Sequence, residues 1–135
     1  MPIVADASIV LASLLEEEWP EDAPALADLD RNELVVPVLW WFELRNGLII
    51  NERRRRTSPE LSTGFLRQLS GMSTTVDTTP DSDLVMQLAR KHRLTVYDAT
   101  YLELAMRTGL PLATLDMPLA AAARAEGVPL VGESG

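Results

Sequence analysis

The chain has 135 residues, of which 47% are hydrophobic and 24% charged, so it suits a single core-forming domain over 1–135 and is too apolar to be disordered. A formal net charge of −8 argues against indiscriminate nucleic-acid binding, and the lack of cysteine excludes a disulfide framework or a thiolate zinc site. That usage fits a reducing, cytoplasmic setting. Acids interrupt the apolar runs well short of the ~18 residues a membrane span needs, and Asp6 inside the first run argues against a leader peptide.

In chain order, PIVAD at 2–6 reads as a strand followed by helical spacing at 7–16 and 22–31, the two halves split by Trp19-Pro20. ELVVP at 33–37 is a second strand and 38–53 a long helix. Ser58 as N-cap with Pro59 at the first helical position opens another helix over 59–70. STTVD at 73–77 is a third strand, and the Thr79-Pro80-Asp81 turn precedes a helix over 82–92. LTVYD at 94–98 predicts a strand leading into a helix over 99–108 that Gly109 closes. PLATLD at 111–116 predicts another, before a helix over 118–126 closed by Gly127. The tail VPLVGESG suggests one last short strand. Strands alternating with helices of 10 to 15 residues predict an α/β fold, with a central parallel sheet of four or five strands and helices on both faces.

Asp6, Asp98 and Asp116 each end a strand-like run just before a helix. Singly, each reads as a helix N-cap. Together they differ, because the C-terminal ends of parallel strands share one edge, where sites form. Two carboxylates about 5 Å apart repel by roughly 3 kcal/mol at an effective dielectric of 20, so converging acids protonate, splay or bind a cation. Oxygen donors suit a hard divalent ion such as Mg²⁺. Glu43 is the single acid inside the apolar stretch VPVLWWFELRNGLII, on an inward stripe, and Arg45 two residues away is badly placed to pair with it. Glu16, Glu17 and Glu18 read as a solvated run, and Asp77, Asp81 and Asp83 as turn residues.

The pieces IVADAS, WFELRNGL, LTVYDATYLELA and LATLDMPLAAAA occur in this order across nearly the whole chain. On them the chain resembles PIN-domain ribonucleases, and within these the stand-alone toxins of VapBC-type toxin–antitoxin pairs. The resemblance implies a three-layer α/β/α PIN-like fold and a Mg²⁺- or Mn²⁺-dependent endoribonuclease. It assigns Asp6, Glu43, Asp98 and Asp116 to the acidic cluster, with Asp6, Asp98 and Asp116 as metal ligands and Glu43 orienting water or reaching the metal through it. Ser8 and Thr114 match polar positions beside the metal, and Asn46 a position that orders structure. Met117 and Pro118 stand where some relatives carry a further acid, which weakens a second metal site. The resemblance also implies an RNA substrate, a small antitoxin that covers the groove, and a homodimer. A toxin that stops translation or growth is the leading role, with RNA processing or a non-catalytic binding module as alternatives.

Arg53, Arg54, Arg55 and Arg56, with Arg45 on the preceding helix, form the densest basic run and are candidate RNA contacts, or else a solvated helix end. Trp40 and Trp41 read as core or dimer contacts, and His92 as a surface residue near a helix end. A response-regulator receiver would need a lysine after a late strand, yet Lys91 precedes HRLTVYD. A haloacid-dehalogenase phosphatase would need D-x-D, yet position 8 is Ser.

Overall fold

The computed structural model describes residues 2–14 and 33–133; the predicted helix at 22–31, the Trp19-Pro20 break and Glu16 to Glu18 lie outside them. Four parallel strands form one sheet in the order β3-β2-β1-β4, from β1 (Pro2–Ala5), β2 (Glu33–Pro37), β3 (Thr74–Asp77) and β4 (Leu112–Ala113). Val4 pairs with Val35 on one side and Leu112 on the other, so β1 is an interior strand. Its Ile3, Val4 and Ala5 are all buried, as a strand covered on both faces requires.

The helices are α1 (Ala7–Leu14), α2 (Leu39–Arg53), α3 (Pro59–Ser70), α4 (Ser82–His92), α5 (Val96–Thr108) and α6 (Met117–Ala125). Ser58 caps α3, its Oγ accepting from the Leu61 amide at 3.2 Å, with Pro59 next, as predicted. Gly109 ends α5 at φ +69°, a left-handed conformation that a Cβ would strain. α1 packs on α2, where Gly47 lies so close to Leu11 that a side chain there would collide with it. α5 crosses β1 and β2 and is flanked by α4 and α6. It is buried almost all round, from Ala99 through Tyr101, Leu102, Leu104 and Ala105, which makes it the central helix of the core.

Two expectations need correction. LTVYD is not a strand: Thr95 caps α5, its Oγ1 accepting from the Asp98 amide at 3.1 Å, so Asp98 lies in the first turn of a helix. Val96 and Tyr97 are exposed, and the β-branched pair Thr95 and Val96 is outweighed by the cap and the helical pattern beyond it. The tail forms no strand beyond one isolated parallel bridge, Leu130 to Leu112.

Glu103 sits fully buried in α5. It accepts from Arg107 Nε at 2.6 Å and from the Asp81 amide at 3.0 Å, while the Arg107 guanidinium also donates to both Asp77 oxygens, at 3.1 and 2.7 Å. One arginine thus ties the end of β3 to α5, and Glu103 ties α5 to the start of α4. Asp81 itself caps α4.

Candidate active site

Asp6 leaves β1 at the C-terminal edge of the sheet and is only 4% exposed. Its Oδ1 accepts from Ser8 Oγ at 2.6 Å and from the Ile9 amide at 3.1 Å, so it does cap α1. Its Oδ2 accepts from Thr114 Oγ1, which in turn accepts from the Asp116 amide at 3.0 Å. Ser8 Oγ accepts from the Leu115 amide at 3.3 Å. Two hydroxyls therefore lace the β1–α1 turn to the β4–α6 turn and fix both oxygens of one carboxylate. Burial pushes the Asp6 carboxyl above its ordinary range against these hydrogen bonds, and the nearby charge of Asp116 adds to the rise.

Asp116 caps α6, its Oδ2 accepting from the Leu119 amide at 2.9 Å. Asp98 joins from the first turn of α5. Burial raises its carboxyl first, and then the charges of Asp116 and Asp6. Glu43 reaches in from α2, half-buried and raised by burial, with Asp98 and Asp6 contributing. Its Oε1 accepts from the Tyr101 hydroxyl at 2.7 Å. Burial and Glu43 both push that hydroxyl up, so it stays protonated and donates. The fold thus brings the four predicted acids into one electrostatic neighbourhood, though Asp98 arrives from a helix instead of a strand end.

The ion pairs among the described residues join Lys91 and His92 to Glu126, Arg107 to Asp77 and Glu103, and Arg124 to Glu133; none involves the four acids. No three of the described acids or imidazoles stand ready-arranged as a metal cage. The donor chemistry nevertheless fits a hard divalent cation: oxygen-only ligands, one of them deeply buried, with no cation among the described residues paired to them.

Arg45 is turned elsewhere, its guanidinium 3.8 Å above the Trp41 ring and donating to the Trp41 carbonyl at 3.3 Å. Arg53 to Arg56 are exposed at the end of α2, where Arg55 adopts φ +59°. Arg53 lies ten residues beyond Glu43, about 15 Å along the helix. Trp40 is core, whereas Trp41 is half-exposed and meets Phe42 edge-on at 5.1 Å. Asn46 is exposed on α2, and His92 is more enclosed than expected, 2.7 Å from Glu126. A separate cavity of about 240 Å³, lined by Trp40, Leu44, Leu66 and Leu69 among others, contains none of the acids. Sequence reasoning missed Tyr101: a contact across 58 residues leaves no local pattern.

Residues 3–131 match the PIN domain family. The chain belongs to that family. This PIN domain is 32% identical over 123 residues to Ribonuclease VapC3 of Pyrobaculum aerophilum, covering 89% of this chain and 93% of that protein. Among solved structures it resembles PAE2754 from Pyrobaculum aerophilum, at 27% identity and a TM-score of 0.68 over 90% of this chain and 79% of the other. FitAcB from Neisseria gonorrhoeae shares the fold at 20% identity, with a TM-score of 0.56 and 96% of each chain covered. The central parallel sheet and its flanking helices are those of the PIN domain α/β/α architecture.

Proposed function

We propose that this PIN domain is a metal-dependent endoribonuclease in which Asp6, Asp98 and Asp116 hold Mg²⁺ or Mn²⁺. The observation that carries this reading is a buried Asp6 in the company of three further acids, with no cation among the described residues paired to any of them. The likeness to Ribonuclease VapC3 supports it. Bound there, the ion supplies acidity to a water and neutralises charge developing on the scissile phosphate. Ser8, Thr114 and the Ile9 amide hold Asp6 in place. Glu43, anchored through Oε1 by Tyr101, has Oε2 to orient the attacking water and accept its proton.

Labelled RNA incubated with Mg²⁺, with EDTA, and with the Asp6→Asn variant tests the reading. Cleavage only by the wild type with metal supports it; cleavage that survives EDTA or the substitution overturns it. Tyr101→Phe, which frees Glu43, is expected to lower kcat roughly tenfold with KM within about twofold, the worth of one hydrogen bond to a charged group. Steady-state rates on one oligonucleotide check that.

The same reading makes the protein the cytoplasmic toxin of a type II pair, held inactive by an antitoxin and acting as a homodimer. The exposed apolar surface of Val38 and, on α2, of Trp41, Phe42 and Ile49 supports a protein partner. Induced expression arrests growth in this reading, and Asp6→Asn does not. Arg53, Arg54 and Arg55 extend the RNA path from the site. Changing all three to Gln is expected to flatten the slope of log Kd against log salt by about 2, at ~0.7 for each contact to a single strand. An unchanged slope assigns the run to solvent.

A further inference from the structure

We propose that Tyr97 is a stacking platform for an unpaired base beside the scissile phosphate. This rests on the ribonuclease reading of the same site. Tyr97 immediately precedes Asp98 in the first turn of α5, with 62% of its surface open to water. Among the described residues its ring has no aromatic neighbour and its hydroxyl no hydrogen-bond partner.

Its position is set by two neighbours. Tyr101 lies four residues further on, on the same stripe of the helix, and holds Glu43 at 2.7 Å. Tyr97 therefore stands one turn outward along the line that leads to Glu43, while the adjacent residue, Asp98, shares its field with Asp116 and Asp6. The exposed ring therefore belongs to the turn of α5 that carries Asp98, on the stripe that Tyr101 continues to Glu43.

The electrostatics call for such a group. Four acids repel a polyanion, and among the described residues no cation is paired with them to offset the repulsion. A base offers a neutral π-face that a phosphate does not, and aromatic stacking tolerates any base. Within an A-form duplex both faces of each base are already covered by stacking, so an exposed ring can engage only a base that is unpaired and splayed.

The test compares the wild type, Tyr97→Ala and Tyr97→Trp in the full chain, with Mg²⁺, on one oligonucleotide presented single-stranded and as a duplex. Tyr97→Ala is expected to raise KM for the single strand roughly 5- to 150-fold, the range that stacking of one base supports, with kcat within about threefold. Tyr97→Trp restores KM. An abasic nucleotide beside the cleavage point raises KM of the wild type by a similar factor and removes the difference between wild type and Tyr97→Ala. An unchanged KM in a folded Tyr97→Ala, or equal cleavage of duplex and single strand by the wild type, overturns the proposal. So does an intact KM accompanied by weakened binding of a protein partner, which makes the ring a protein contact. Absence of any metal-dependent cleavage by the wild type overturns the ribonuclease reading itself and this proposal with it.

Discussion

Asp6→Asn is expected to abolish RNA cleavage and, in the metal-free protein, to raise the unfolding midpoint. The first effect follows from its proposed place at the metal, and a loss of at least 10²- to 10³-fold is the scale for removing one preorganised electrostatic contact. The second follows from burial. Burial of a carboxyl 4% exposed disfavours its charged form, and asparagine removes that ionisable group without changing its size. The gain is offset in part by the acceptor lost to Ser8 or Thr114.

The same groups set a pH dependence. Asp6, Glu43 and Asp98 all have carboxyls raised above their ordinary values of 3.8, 4.5 and 3.8. The folded state therefore keeps protons that the unfolded chain has already released. Stability from these groups is fully present below the unfolded values and is lost as pH rises through the folded ones. Asp77 and Glu126, lowered by their cations, act oppositely and cost stability only as the solution becomes more acid than about their ordinary 3.8 and 4.5. The urea midpoint of the metal-free wild type is thus expected to be higher near pH 5 than at pH 7.5. On the proposed reading Mg²⁺ is expected to flatten that slope by favouring the ionised acids, and Asp6→Asn to flatten it without metal. A midpoint that climbs from pH 5 to 7.5 in EDTA contradicts the account.

Arg107→Met is the substitution expected to damage the fold most. It leaves Glu103 buried with a single backbone donor, and it releases Asp77. Breaking a buried pair from one side costs about 3–5 kcal/mol; with the Arg107 side chain 32% exposed, about 2–4 kcal/mol is expected here. That is a large part of a typical domain's stability. Equilibrium urea unfolding measures it. The double change Glu103→Met with Arg107→Met removes the stranded charge and is expected to recover most of the loss, while a double variant as unstable as the single one contradicts this assignment. Because Arg107 holds the Asp77 carboxyl down, its removal also abolishes the stability that Asp77 otherwise contributes above its unfolded value and loses as pH falls.

What the residues themselves disclose depends on how local the physics is. Ser58-Pro59, Gly109 and the capping acids Asp6, Asp81 and Asp116 act within a few residues, and the helices they bound are found where their chemistry puts them. Asp98 marks the limit of that logic, since Thr95 and Val96 read as β-forming while a single hydroxyl cap turned the segment into helix. The convergence of Asp6 with Asp116 is legible because parallel topology brings strand ends together. The Tyr101–Glu43 bond joins two helices whose facing is decided by packing alone. Glu103 escaped notice because a helix buried on all sides has no polar stripe against which an inward acid stands out.

The acidic cluster is assembled from distant parts of the chain. Thr114, which binds one oxygen of Asp6, follows it by 108 residues, and Asp116 comes later still. A chain still short of residue 111 has no β4, no α6 and no partner for Asp6 Oδ2. On the proposed reading, a growing polypeptide that has not yet reached residue 116 is expected to lack a complete site, which spares the RNA of the ribosome that makes it.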